Sequence, residues 1–92
     1  MAQRLPHVQI SVSPRTGKIE AAYIRLRDGA TRETRDADAA GNAFADYGAD
    51  GVLLGVEILA PCTASALDRI TSGEPEPYRG VSRYTPHELV CS

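Results

Sequence analysis

The side chains best placed for chemistry in this sequence are Tyr23, Arg25 and Glu57, the polar members of two apolar, strand-like segments. If the two segments are neighbouring strands, Arg25 and Glu57 can form a cross-strand ion pair beside Tyr23. We expect this trio to have a structural role. The alternative is a small-ligand or catalytic site that the trio forms at an oligomer interface.

A second group of acidic residues resembles the start of a calcium loop. Asp36 and Asp38 occupy its first and third positions, and Gly41 occupies the sixth. Calcium needs six to eight oxygen ligands, but Ala40 and Tyr47 stand at positions five and twelve, where oxygen donors belong. We therefore interpret the segment as a solvated acidic loop and expect no bound metal.

Residues that could support nucleophilic catalysis do not form a recognisable signature. His7 and His87 lie at opposite ends of the chain. Neither Ser65 nor Cys62 belongs to a GxSxG motif, and no glycine-rich phosphate loop is present. We expect no catalytic residue and no cofactor.

Four arginines surround the Asp28-Gly29 turn and could grip a phosphate together if their strands pair. They are Arg25, Arg27, Arg32 and Arg35, interspersed with Asp28, Glu33, Asp36 and Asp38. The formal net charge of −2 gives no field that would attract nucleic acid. The pattern favours a salt-bridged sheet face, and we expect no nucleic-acid partner.

The cysteines and the hydrophobic runs bear on the compartment. Cys62 and Cys91 belong to no CxxC pair, which is typical of free thiols in a cytosolic protein. The alternative, a metal or redox pair, would need further ligands at suitable spacing. No apolar run approaches the about 20 residues that span a bilayer, and the N-terminus has no apolar core like that of a signal peptide. We expect a cytoplasmic protein.

The elements that must position these residues are mainly β-strands. Alternating apolar and polar residues predict strands, and turns rich in glycine, proline or aspartate separate most of them. The predicted strands are His7–Val12, Lys18–Arg27, Ala43–Tyr47 and Val52–Leu59. The charged segment Thr31–Asp38 has almost nothing to bury, so any strand there is an edge or a protruding ribbon.

Val52–Leu59 is the most strand-like segment. Strict alternation places Val52, Leu54, Val56 and Ile58 on one face, and Leu53 and Leu59 on the other. Apolar residues on both faces predict a central or doubly covered strand. Gly55 within it suggests a place where another backbone or a large ring approaches closely.

After Pro61 the pattern changes from strand to helix. Thr63 to Thr71 predicts a short helix with Thr63 as its N-cap and a narrow apolar stripe that packs on the sheet. Residues 1–72 are therefore expected to form one sheet-plus-helix domain. Residues 73–92 are expected to form a tail, with one helical turn near Thr85-Pro86-His87-Glu88. The predicted fold is α+β and mainly β: an antiparallel meander of four or five strands with one short C-terminal helix.

Two motifs resemble a known bacterial family. They are Ala22-Tyr23-Ile24-Arg25-Leu26 followed by Asp28-Gly29, and Asp50-Gly51 leading into Leu54-Gly55-Val56-Glu57-Ile58-Leu59. In this order they are similar to the family called domain of unknown function 2283, over residues 8–60. The resemblance implies a small antiparallel sheet but no activity. Some members of the family are encoded beside small toxin-like proteins, so the resemblance also implies the hypothesis of an antitoxin-like protein partner.

These observations favour a non-enzymatic protein-interaction module that binds a second copy of itself or another protein. The expected contact residues are Tyr23, Arg25, Leu53 and Glu57, together with Leu59. An exposed sheet face, or the edge near residues 31–38, would present the binding surface.

Overall fold

The computed structural model describes residues 5–91, and its centre is a five-stranded antiparallel sheet. The strands are β1 (His7–Val12), β2 (Ile19–Arg25), β3 (Glu33–Asp36), β4 (Ala43–Tyr47) and β5 (Leu53–Ile58). The order across the sheet is β1-β2-β5-β4-β3. The expected fold class, α+β and mainly β, is confirmed.

The strand order differs from a continuous meander. β1 and β2 form a hairpin, β3, β4 and β5 form a separate meander, and β5 joins the two by pairing with β2. The apolar β5 therefore lies at the centre of the sheet, as its sequence predicted. All four residues of β3 are exposed, so burial favours an outer position for this strand.

A bulge in β5 changes the direction of two leucine side chains. β4 pairs Asp46 with Gly55 but Tyr47 with Leu53, so Leu54 is an extra residue in the ladder. Leu53 consequently turns into the core, where it is 3% exposed. Leu54 packs beside Gly29 and Gly48 instead. The prediction that Leu53 shares the outer face with Leu59 is therefore wrong.

One face of the sheet is covered by the helix and by the C-terminal segment. Helix α1 (Ala64–Ile70) begins after Thr63, whose hydroxyl accepts a hydrogen bond from the Ala66 amide, as the predicted N-cap requires. Leu67 of α1 packs with Val56, Ile58 and other core residues at 0% exposure. The expected helix is thus present and covers the expected face.

Residues beyond 73, which the sequence predicted as a tail, contribute to this core. Val81 and Leu89 are 0% and 2% exposed and belong to the core cluster. They lie in short 3₁₀ turns at Val81–Tyr84 and His87–Leu89. Leu89 packs in the cluster that contains β2 residues, so this segment completes the cover of the sheet.

Polar contacts hold the C-terminal segment against α1. The Asp68 carboxylate accepts hydrogen bonds from the backbone amide and the hydroxyl of Ser82, at 2.8 and 2.9 Å. The buried Thr71 hydroxyl accepts one from the Val81 amide at 3.3 Å. Further along, β6 (Cys62–Thr63) pairs in parallel with β7 (Val90–Cys91), which joins the last described residues to the start of the helix.

Candidate functional site

The sheet face opposite α1 has no described residue in the core cluster and carries most of the polar side chains of the strands. We call this surface the open face and define it by two rows of residues that cross the five strands. The first row is His7, Arg25, Gly55, Asp46 and Thr34, and the second is Gln9, Tyr23, Glu57, Phe44 and Asp36. Leu59 follows β5 on the same face and is 48% exposed.

Tyr23 of β2 lies across the backbone of Gly55 on β5 and reaches β4, two strands away. Its hydroxyl donates a hydrogen bond to Asp46 Oδ2 at 3.0 Å. A Cβ atom at position 55 would lie 2.5 Å from the Tyr23 hydroxyl oxygen and 2.7 Å from the ring carbon that bears it. The close approach expected at Gly55 is therefore confirmed, and the approaching group is a large ring.

Asp46 receives a second hydrogen bond, from the Thr34 hydroxyl at 2.7 Å. The Asp46 carboxylate on β4 thus links the side chain of Tyr23 on β2 to that of Thr34 on β3. Burial and the hydrogen-bonded Asp46 carboxylate raise the pKa of Tyr23 to about 12, from 10.0. A phenol that stays protonated to so high a pH is a poor proton donor or acceptor near neutrality. The arrangement therefore suits a structural role.

Arg25 and Glu57 do not form the ion pair that the sequence suggested. The register places Tyr23 opposite Glu57, and Arg25 opposite Gly55, so the two charges lie on a diagonal. Arg25 instead lies over the Tyr23 ring, 5.5 Å from its centroid. Within residues 5–91, Glu57 takes part in no ion pair. In the second row, Glu57 lies between two aromatic residues, Tyr23 and Phe44.

Charge is divided across the open face. The cationic Arg25 and the imidazole of His7 lie on β2 and β1. The carboxylates in the two rows lie on the other three strands: Glu57 on β5, Asp46 on β4 and Asp36 on β3. We call the side of β1 and β2, with its single formal positive charge at Arg25, the basic half of the surface, and the side of β4 and β3, with Asp46 and Asp36, the acidic half.

Three residues of this surface were not identified from the sequence: Asp46, Phe44 and Thr34. Asp46 and Phe44 alternate with the buried Ala43 and Ala45, and that alternation was the signal for their shared outward direction. Their proximity to Tyr23 depends on the pairing of β2 with β5, which the predicted meander did not contain. Of the four predicted contact residues, Tyr23, Arg25 and Glu57 lie together on the open face, and Leu53 lies in the core.

A shallow cavity of about 240 Å³ lies between the β3–β4 hairpin and α1, on the other side of the sheet. One of its two arginines, Arg35, already forms a bidentate pair with Glu33, at 3.0 Å for both contacts. Its guanidinium also stacks on Tyr47, 4.6 Å from the ring centroid. The other lining residues are Asp36, Ala37, Ala45, Ala66, Arg69 and Ile70. Because Arg35 is already paired, this cavity is a weaker candidate than the open face.

Other kinds of site find little support in the described chain. Among residues 5–91, no group of three or more histidine, cysteine, aspartate or glutamate side chains is arranged to hold a metal ion. No helix in that range is long and apolar enough to cross a membrane. Both cysteines are free: Cys62 is buried, which raises the pKa of its thiol, and Cys91 is exposed.

Comparison with known proteins agrees with the two sequence motifs. Residues 18–60 match the sequence model of a family described as "Protein of unknown function (DUF2283)", which confirms the resemblance. The match extends from just before β2 to just after β5 and so includes Tyr23, Asp46, Gly55 and Glu57. A search of curated proteins and a search of solved structures found no match to the chain.

Proposed function

We propose that this protein is a non-enzymatic interaction module whose open face binds a second protein chain. The observation that carries the proposal is that a complete face of a five-stranded sheet, two rows deep, stays outside the hydrophobic core. Single sheets normally bury one face against their own chain and can present the other to a partner. The occupant is either an antitoxin-like partner protein or another copy of this chain.

The composition of the open face supports binding to a protein. Tyr23 and Phe44 flank Glu57 in the second row, and Leu59 adds an exposed apolar side chain. Aromatic residues are enriched at protein interfaces, where a rigid apolar surface is surrounded by polar groups. Arg25 and the carboxylates supply that polar rim.

The same geometry argues against a catalytic or small-ligand site on this surface. The raised pKa of Tyr23 removes it from acid–base chemistry near neutral pH. The Tyr23 hydroxyl and both oxygens of Asp46 are engaged with each other or with Thr34. A broad, flat surface on which Tyr23, Asp46 and Thr34 are already bonded to one another suits a macromolecular partner better than a small molecule.

Site-specific photo-cross-linking in the native cell tests the proposal. A photo-reactive amino acid replaces Gln9, an exposed residue on the open face. A matched control carries it at Glu88, an exposed residue in the 3₁₀ turn after Pro86, on the covered side of the sheet. We expect protein adducts from position 9 and few from position 88. Equal adduct yields, or none from position 9, would contradict the proposal.

A further inference from the structure

We infer that the open face binds a second copy of this chain, in a face-to-face dimer whose twofold axis runs parallel to β5. This inference rests on the proposed function and names the partner. The surface favours a copy over an unrelated protein because, under this one symmetry operation, it is complementary to itself. Closed twofold dimers are also the commonest assemblies of identical chains.

The symmetry follows from the division of charge across the sheet. Two face-to-face copies can be related by an axis along the strands or by an axis across them. An axis across the strands places each strand over its own copy, so the basic half meets the basic half. An axis along β5 exchanges β2 with β4 and β1 with β3, so the basic half meets the acidic half. Opposite charges across an interface favour this second arrangement.

The residue pairs under this axis follow from the register. Arg25 and Asp46 are in the same row, one strand to either side of β5, so Arg25 lies over Asp46 of the second copy. Tyr23 and Phe44 are related in the same way, so the two aromatic residues come near each other across the interface. Packed sheets are about 10 Å apart and cross at about 30°, which keeps these pairs close because they lie near the axis.

Glu57 is the one unfavourable residue in this arrangement. It lies on β5 and therefore on the axis, so the two Glu57 carboxylates face each other. Like charges that meet at an interface oppose association. This repulsion, and the modest area, predict a dimer that dissociates on dilution. Five strands about 4.8 Å apart and about 17 Å long give a face of only about 400 Å², so two facing copies bury about 800 Å² in total, below the about 1,200 Å² at which stable protein complexes begin.

Removal of the repulsion is the first test. Sedimentation velocity over a wide concentration range measures the dimer dissociation constant of the purified full chain and of Glu57→Gln. We expect the substitution to lower the dissociation constant about tenfold, because it removes the facing charges but keeps the size of the side chain. Glu88→Gln makes the same change in charge on the covered side of the sheet and should leave the constant unchanged.

A charge exchange is the second test. Arg25→Glu and Asp46→Lys should each raise the dissociation constant at least about tenfold, because each places two like charges opposite each other. An equimolar mixture of the two variants should recover association, since both contacts are then between opposite charges. Arg15→Glu, in the exposed turn before β2, is the control for net charge. Circular dichroism shows whether Asp46→Lys, which loses the bonds to Tyr23 and Thr34, is still folded; if it is not, Glu57→Gln and Arg25→Glu decide the question.

Three outcomes would overturn the inference. One is a monomer at all concentrations for both the parent and Glu57→Gln. Another is a dimer that ignores Arg25→Glu. The third is a dimer that Ile10→Lys disrupts instead. Ile10 lies on the edge strand β1, which pairs with β2 on one side only, so that result would indicate edge-to-edge assembly. None of these outcomes would contradict the proposed function, because the cross-linking experiment tests it separately. A position-9 adduct to a different protein would support binding by the open face without a dimer.

Discussion

At the scale of single residues, Gly55 determines how the open face is built. Only a residue without a side chain allows the Tyr23 ring to cross β5 and reach Asp46. The glycine is not required by its backbone angles, since its φ is not in the left-handed region, but by the space above it. Tyr23 and Gly55 therefore behave as one structural unit, although 32 positions separate them in the sequence.

We expect Gly55→Ala to lower the free energy of unfolding by about 1–3 kcal/mol, the usual range for an added group in a filled space. The new methyl group would displace the Tyr23 ring and lengthen its bond to Asp46. Urea denaturation followed by circular dichroism measures the change. The double variant Tyr23→Ala/Gly55→Ala should lose less than the sum of the two single variants, because the clash is gone.

Gly73→Ala is the matched control for this prediction. A Cβ atom at Gly73 would meet no atom within 4 Å. The same chemical change there should leave stability nearly unchanged. Equal losses for the two glycines, or strict additivity in the double variant, would show that Gly55 does not act through Tyr23.

At the scale of elements, the two 3₁₀ turns close the core. They are only 4 and 3 residues long, at Val81–Tyr84 and His87–Leu89, yet each buries an apolar side chain. Hydrogen bonds to Asp68 and Thr71 hold the first of these turns against α1. The end of the described chain therefore belongs to the sheet-plus-helix unit.

We expect Leu89→Ala to lower the free energy of unfolding by about 2–5 kcal/mol, because it leaves a cavity in a fully packed region. Leu89 is 2% exposed, whereas Leu5 is 73% exposed. Leu5→Ala should therefore change stability by less than about 0.5 kcal/mol. Thermal or urea unfolding of the two variants makes the comparison. If Leu89→Ala were as harmless as Leu5→Ala, the C-terminal segment would not contribute to the core.

The strands were predictable because alternation is a local property of the sequence. β1, β4 and β5 were located within one residue at either end, and α1 was found from its cap and apolar stripe. The bulge at Leu54 was not predictable, since a single extra residue leaves an apolar run unchanged. The 3₁₀ turn at Val81–Tyr84 was also beyond the pattern, because four residues are too short to show a period, whereas the turn at His87–Leu89 lies where the capping pattern predicted one helical turn.

At the scale of the whole molecule, the position of β3 determined what could be foreseen of the candidate site. Tyr23, Arg25 and Glu57 were brought together as expected, because β2 and β5 are neighbours. Asp46 and Thr34 join them only because β4 and β3 lie beyond β5. The order of strands in a sheet depends on which strands tolerate exposure at its edges, and this is a property of all the strands together.

Alkaline unfolding tests the contribution of Tyr23, whose bond to Asp46 joins β2 to β4, to the stability of the whole protein. The pKa of Tyr23 is about 12 in the folded protein and 10.0 without the structure. The unfolded chain therefore loses this proton first, so the contribution of Tyr23 to stability is complete below pH 10 and is lost as the pH rises through 12. We expect the free energy of unfolding to fall less steeply in this window for Tyr23→Phe than for the parent.

Asp46→Asn gives an independent control for the alkaline test. It removes the carboxylate that raises the pKa of Tyr23 and keeps a group that can accept a hydrogen bond. Its pH profile should lie between those of the parent and Tyr23→Phe. The burial that raises the pKa of Cys62 acts in the same direction in all three proteins and so cancels in the comparison. Three parallel profiles would contradict the assignment.

The seam between β2 and β5 also has a consequence for how the protein folds. The β1–β2 hairpin and the β3–β4–β5 meander each form from nearby residues, but the seam joins Ala22 to Ile58, positions that are 36 apart. Closure of so long a loop costs entropy before any contact is gained, so we expect this pairing to be the slow step of folding. The Tyr23–Asp46 bond spans the seam, and its formation therefore marks the moment at which two independent halves become one sheet.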